Sequence, residues 1–324
     1  MSRRPTARSG MALILTLVAI VLAGGLALFL QSKASEVARV EQAELIKERL
    51  RLAAAEAVRE ALWILASDEN LQMDSLKEEW AVPRENTLED GLFTWAVVED
   101  AGRFYNWNNL SVSNRATRHP REILMDLMTF CGDFTPAIRV DALEDFLDAN
   151  EEGTYESSFY ESKDVSFQTP NRALWAPAEL LRVHGFSADQ FRPRPPPAAD
   201  DLFGGELNDS TVVVPLVLKA PLPVNVNTAS RDVLMGLTGL QQEAAIRDVM
   251  DWRRDNPFDS LGGMFMANPE LAAALEGAVS TASTCFRVRA RAETGNHRCT
   301  VLTWVERDPK TGDIRILQWV EEEG

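Results

Sequence analysis

The strongest hydrophobic signal lies at the start of the chain. Met11 to Leu30 is a run of twenty residues without a charge, in which only Thr16, Gly24 and Gly25 interrupt bulky apolar and alanine positions. At ~1.5 Å per residue it predicts a helix of roughly 30 Å, enough to cross a bilayer's hydrocarbon core. The helical pattern does not stop there. Ile46, Leu50, Ala53, Ala57, Ala61 and Ile64 recur at three- and four-residue steps, with Glu41, Glu44, Lys47, Glu48, Arg49, Glu56 and Arg59 between them. No Pro or Gly falls between Gln31 and Ala66. The spacing therefore predicts one helix over 11–66, ~80 Å long at that rise, with its first half in the membrane and its second half packed on a soluble body.

Past Trp80 the period changes. Phe93 to Val98 predicts a strand, Glu99 to Gly102 a turn, and Arg103 to Trp107 a returning strand, so this stretch reads as a β-hairpin. Helices are predicted at about 120–131 (Ile123, Leu124, Leu127 and Met128 inward), 136–149 (Ile138, Leu143, Phe146 and Leu147 inward) and 171–183. The proline-rich stretch from Phe191 into Gly205 reads as a linker, and Thr211 to Leu218 as a strand by its β-branched content. Thr228 or Ser230 can cap a helix that Gly239 closes, followed by a second helix from Glu243 to Arg254 and a third turn-and-helix unit from Asn256. Three strands end the chain: 283–291, 298–306 and 314–320, joined by Gly-containing turns into a meander with one polar face.

Length and charge narrow the function. At 324 residues there is room for two or three domains, and a net charge of -16 argues against nucleic acid as a main partner. The three cysteines, Cys131, Cys285 and Cys299, give no zinc spacing and no disulfide framework, although Cys285 and Cys299 on neighbouring strands leave one bridge open. His119, His184 and His297 sit in no metal or triad spacing, and no nucleophile motif is present, which argues against an enzyme.

Three readings fit the N-terminus. A secretory signal would need a small-residue cleavage site after the apolar run, which Gln31 to Glu36 does not supply. A plain single-pass anchor fits the length, with Arg3, Arg4 and Arg8 holding the N-terminus in the cytoplasm. The short basic leader ending at Gly10, set directly against an uncharged helix, also resembles a prepilin signal. That resemblance implies cleavage after Gly10 and retention of Met11 as the mature, N-methylated first residue. Most prepilin-like proteins carry Glu at the fifth mature position, where this chain has Leu15. That carboxylate offsets the buried N-terminal amine of the preceding subunit, which without a partner costs on the order of several kcal/mol. A subunit that never docks beneath a predecessor does not need it.

Two further stretches suggest chemistry. In the acidic loop from Glu144 to Glu161, alternating oxygens at Asp148, Asn150 and Glu152 beside Gly153 could wrap a hard cation, although the EF-hand register is absent. The segment from Val224 through Leu240 resembles a helix-hairpin-helix of DNA-binding proteins, including membrane-tethered DNA receptors. Its turn, Gly239-Leu240-Gln241, lacks the second glycine that would admit a phosphate. Between Val224 and Met266 there are four Arg, no Lys and six acids, so no basic face forms and packing is the better use.

Taken in order, the pieces closely resemble the minor pseudopilin K (GspK) family of type II secretion systems. The resemblance rests on the leader with Gly10, the helix start without Glu, and the Asp100 to Leu110 motif (Asp-Ala-Gly-Arg-Phe-Tyr-Asn-Trp-Asn-Asn-Leu). It continues through the Asp145, Asp148 and Asn150 loop ending near Tyr160, Asn171-Arg172-Ala173 with Glu179 to Val183, the Val-Asn-Val-Asn-Thr-Ala segment at 224–229, and the closing meander. It implies an α+β fold, in which a pilin-like long N-terminal helix and antiparallel sheet are interrupted by a large helical domain containing a helix-hairpin-helix-like (SAM-like) module. The expected divisions are a leader (1–10), membrane (11–30) and periplasmic (31–66) parts of the helix, and a pilin-like β portion (67–111). The inserted domain (112–223), the hairpin module (224–276) and the meander (277–324) follow. The family implies Ca2+ in the helical domain, with Asp145, Asp148, Asn150, Glu152 and Glu156 as candidate ligands. It also implies a single-pass inner-membrane protein with a periplasmic body that caps a pseudopilus tip. Its partners would be the minor pseudopilins I and J, then H and the major pseudopilin G, together with prepilin peptidase and the inner-membrane assembly platform. A membrane-tethered DNA-uptake receptor and a type IV minor pilin are the alternatives.

Overall fold

In the computed structural model, which describes residues 8–88, 91–111, 118–130, 133–163, 167–175, 177–187, 211–212 and 223–323, the chain is organised on one helix, α1 (Arg8–Ala66). No proline enters it to break the backbone ladder, and the Thr16 hydroxyl is satisfied by the Leu13 carbonyl (2.8 Å). Its membrane-length part touches no other element. From Leu50 onward one face is buried, with Leu50, Ala54, Ala57, Val58, Ala61 and Leu65 at three- and four-residue steps. The alanines let the helix lie close against a sheet.

That sheet has five antiparallel strands in the order β1 (Arg84–Thr87), β2 (Phe93–Asp100), β7 (Cys285–Thr294), β8 (His297–Arg307) and β9 (Ile314–Glu323). In β7 the period-two pattern is complete. Phe286, Val288, Ala290 and Ala292 are buried towards α1, and Arg287, Arg289 and Arg291 stand on the other face. Glu99 joins that arginine row, accepting from Arg287 Nε (2.7 Å) and Arg289 Nη2 (2.8 Å). Burial works against its charge, but the two arginines hold its carboxyl below the ordinary value. The expected meander is present as β7–β9, and β2 extends it in register from Phe93 opposite Glu293 to Asp100 opposite Phe286.

The expected hairpin over 93–107 does not form. Both edges of β2 are occupied, by β1 and β7, so the returning residues have no edge to pair with. The Asp100 carboxylate instead accepts from Gly102 N (2.6 Å) and tightens a 3₁₀ turn at Ala101–Arg103. The chain then leaves the sheet, and β3 (Tyr105–Asn106) pairs in parallel with β4 (Thr211–Val212). The remainder of the predicted 211–218 strand and the 191–205 linker lie outside the described residues, as does Cys131.

A second hydrophobic core is built by helices: α2 (Pro120–Phe130), α3 (Pro136–Leu147), α4 (Ser157–Glu161), α5 (Arg231–Thr238), α6 (Glu243–Asp255), α7 (Leu261–Ala267) and α8 (Pro269–Leu275). Val140 rather than the expected Ile138 supplies the first buried turn of α3. The helix expected over 171–183 reduces to a 3₁₀ turn at Pro177–Arg182. Asn108 removes its hydrogen bonds, donating from Nδ2 to Leu174 O (3.0 Å) and accepting at Oδ1 from Leu174 N (2.8 Å). Pro177 cannot donate, and Asn171 has a positive φ of 47°. Of the two candidate caps for α5 it is Ser230 that accepts, from Val233 N (3.3 Å), while Gly239 (φ 83°) ends the helix.

Strand β5 (Val224–Asn225) pairs in parallel with β6 (Val279–Ser280), which ties this helical module to the start of the meander. The register of β7 on β8 places Cys285 opposite Glu306 and Cys299 opposite Ala292. The two cysteines lie at opposite ends of the strand pair and no disulfide joins them.

Candidate functional sites: anchor helix, acidic loop and domain joint

The anchor is the first candidate site. Among the described residues one helix is long and apolar enough to cross a membrane, with a mean hydropathy of 2.8 over its best window and no part of that window covered by the protein. Gly10 lies within α1, and Met11 is exposed. On the neck beyond it, Leu45, Leu52 and Trp63 are 72%, 62% and 70% exposed. They are spaced by two and then three helical turns, so they form one line on the side of α1 turned away from the sheet. Sequence periodicity reported the buried side of this helix and passed over the second, outward line.

The acidic loop is the second. Asp145 lies on α3, Asp148 just past its end and Glu156 just before α4, and their carboxylate oxygens lie within 4.8 Å of one another. Glu152 lies outside that carboxylate group, and the Asn150 side-chain oxygen is engaged by the backbone. Asp148 Oδ1 accepts from Asn150 N (3.1 Å) and Asn150 Oδ1 from Glu152 N (2.6 Å), so these residues form consecutive turns. Asp145 accepts from Tyr155 N (2.7 Å), and a Cβ at Gly153 would overlap the Asp145 carboxylate, so only glycine fits there. Asn171, outside the expected set, donates to Glu151 Oε1 (3.1 Å) and pins the loop from beneath.

Glu156 is 2% exposed, and neither carboxylate oxygen has a hydrogen-bond partner. Burial, then Asp145, Asp148 and Glu151, push it up to about 7. Burial and Asp148 likewise raise Asp145. Among the described residues no Lys or Arg forms an ion pair with any of the three. Three converging carboxylates, one of them with both oxygens buried and without a hydrogen-bond partner, are the donor set of a hard divalent cation. The other carboxylate cluster differs. Asp68 and Asp74 accept from Arg307 (2.8 and 2.6 Å), and Glu78 from Ser75 N (2.8 Å) and Trp80 Nε1 (2.6 Å), so protein donors already fill it.

The hairpin module is packed rather than open. A Cβ at Gly236 on α5 would meet Leu127 of α2 at 2.7 Å, and Arg118 donates to Gly236 O (2.6 Å). Its arginines are committed: Arg231 and Arg247 to Glu243, Arg254 to Asp251, and buried Arg253 to the carbonyls of Val226 (2.5 Å) and Ala229 (2.6 Å).

Where the two cores meet, Asn225 holds them together. Its Nδ2 lies 3.0 Å from Asp74 O, 3.0 Å from Asp100 Oδ2 and 3.2 Å from Ser283 Oγ. Thr228, expected as a cap, donates to Asp100 instead (2.5 Å). The sequence motifs contained Asp100 and Asn225, but their pairing spans more than a hundred residues and no local pattern reports it.

No protein-family model and no curated protein matches the sequence. A solved structure does: a chain from the crystal structure of the GspK-GspI-GspJ complex of the enterotoxigenic Escherichia coli type 2 secretion system. Identity is 19% and the TM-score 0.67, over 87% of this chain and 98% of that one. With its long N-terminal helix, antiparallel sheet and added helices, the protein has the α+β fold found in that secretion complex.

Proposed function

We propose that this protein is a minor pseudopilin of the K type, a structural and non-catalytic part of a type II secretion pseudopilus. The observation that carries the reading is the extent of the fold likeness. It spans nearly the whole of a chain from a complex named for GspK, GspI and GspJ. An apolar anchor helix of membrane length fits a single-pass inner-membrane protein with its soluble body on the periplasmic side.

Prepilin peptidase removes the leader after Gly10, and Met11 becomes the methylated N-terminus. The helices of the minor pseudopilins I and J lie against α1, and the Leu45, Leu52 and Trp63 line supplies apolar area for that contact. Leu15, in place of Glu, offers no charge to the amine of a pseudopilin above, and the broad helical domain leaves no room for one. Both features suit a cap. Growth then proceeds from beneath, with the minor pseudopilin H, the major pseudopilin G and the assembly platform, and supports export through the outer membrane. Asp145, Asp148 and Glu156 would hold Ca2+, which would order the α3–α4 loop by neutralising its converging carboxylates.

Purification of the tagged full-length chain from membranes of its own host tests the reading. Recovery with I- and J-type pseudopilins and a mature N-terminus at Met11 supports it. Recovery alone with an intact Met1, in a host that has prepilin peptidase, refutes it.

A further inference from the structure

The joint between the two cores carries more acid than base. Asp74, Asp100, Asn225 and Thr228 are all fully buried. Asp100 accepts from Gly102 N (2.6 Å) and Asn225 Nδ2 (3.0 Å), and its Oδ2 lies 2.5 Å from Thr228 Oγ1, a hydroxyl that can donate to the carboxylate or accept from the acid; all three partners are neutral. The guanidinium of Arg307 reaches the joint but is already committed: Nη2 contacts both Asp74 oxygens at 2.6 Å and Nη1 contacts Asp68 at 2.8 Å.

Among the described residues, the other charged or titratable groups packed around Asp100 do not supply a cation. Asp74 and Asp68 come from the loop after α1, Glu306 from β8 and the Cys285 thiol from β7. Arg103 acts on Glu99, and Arg253 of α6 is spent on the Val226 and Ala229 carbonyls. Two carboxylates therefore share one guanidinium, and a third has none. A carboxylate buried without a cation takes up a proton.

We propose that Asp100 is a protonated carboxylic acid at neutral pH, a proton standing where a second cation would be needed, and that its ionisation loosens the helical domain from the pilin-like body. Burial raises both Asp100 and Asp74, the latter to about 7 against the pull of Arg307. Of the two, Asp74 keeps the charge-assisted contact of Arg307 Nη2 with both its oxygens, so the proton resides on Asp100. The folded joint binds this proton more tightly than the unfolded chain does. Its stability is therefore full at acid pH, falls as pH climbs from the ordinary Asp value through the raised one, and is flat beyond. The joint is tightest in mild acid. The proposal does not depend on what the chain assembles with.

Hydrogen–deuterium exchange of the full-length chain in detergent, corrected for intrinsic rates, tests it at backbone amides within 224–230 and 279–283. In the wild type, protection is expected to fall by ~10-fold for each unit by which the Asp100 value exceeds its ordinary one. Asp100→Asn, which mimics the neutral acid, should stay protected and lose the pH dependence. A wild type whose protection is flat or rises with pH overturns the proposal. So does an Asp100→Asn joint that opens in mild acid and keeps the wild-type slope. If Asp100→Asn does not fold, the infrared spectrum of the wild type decides. A buried carboxylic-acid carbonyl band at neutral pH that disappears in mild alkali supports the proposal, and its absence overturns it.

Discussion

Glu156 is where single residues bear most directly on function. A buried carboxylate with both oxygens unpaired and its value pushed to about 7 destabilises the metal-free loop. Its folded value is raised, so metal-free stability falls as pH climbs from the ordinary 4.5 towards 7 and then levels off. Calcium reverses the slope by competing with the proton. Saturating Ca2+ should raise Tm, by about 2.7 kcal/mol of stability at ~100 times Kd. Glu156→Gln should abolish that response, and scanning calorimetry with and without chelator checks both statements. An unchanged calcium response in Glu156→Gln would move the ion elsewhere. The acidity of this loop was legible in the sequence, but the division of labour within it was not. Alternation suggested Asn150, whose side-chain oxygen caps a turn, and Glu152, which lies outside the carboxylate cluster, whereas the convergence of Asp145 and Glu156 depends on how α3 and α4 approach each other.

At the scale of elements, α1 carries two faces with two purposes. The buried face is alanine-rich and fits the sheet, and the outward line of Leu45, Leu52 and Trp63 stands exposed on the folded chain. Charged substitutions along that line (Leu45→Glu, Leu52→Glu) should leave the unfolding free energy within about 0.5 kcal/mol of wild type, as at ordinary surface sites, while abolishing co-purification with I- and J-type pseudopilins. Loss of the fold together with loss of binding would mean that the line belongs to the core. Asn108 is the opposite case, a side chain that replaces secondary structure. Asn108→Ala strands both polar groups of Leu174, and urea denaturation should show a loss of about 1–3 kcal/mol. The long helix, the meander and α2, α3, α5 and α6 were readable because periodicity and caps determine them locally. The supposed hairpin after Phe93 failed because strand pairing is decided by which edges are open, and β7, almost two hundred residues later, had taken that edge. The helix expected from Asn171 failed for a similar reason, since its backbone is bonded by a side chain sixty-six residues away.

At the scale of the whole molecule, a pilin-like body with an apolar anchor helix meets a helical domain at a buried polar joint. The hairpin module belongs to that domain's packing, and its arginines are already paired. The full-length protein is therefore expected not to shift duplex DNA in a gel at low salt, and firm binding would favour a DNA receptor instead. The most direct measurement is the composition of the complex formed when the tagged chain is extracted from membranes together with the I- and J-type pseudopilins of its own system. A stoichiometric three-protein assembly, in which this chain begins at Met11, is the predicted result. A chain that elutes alone, or that enters the filament below other pseudopilins, would contradict its place at the tip.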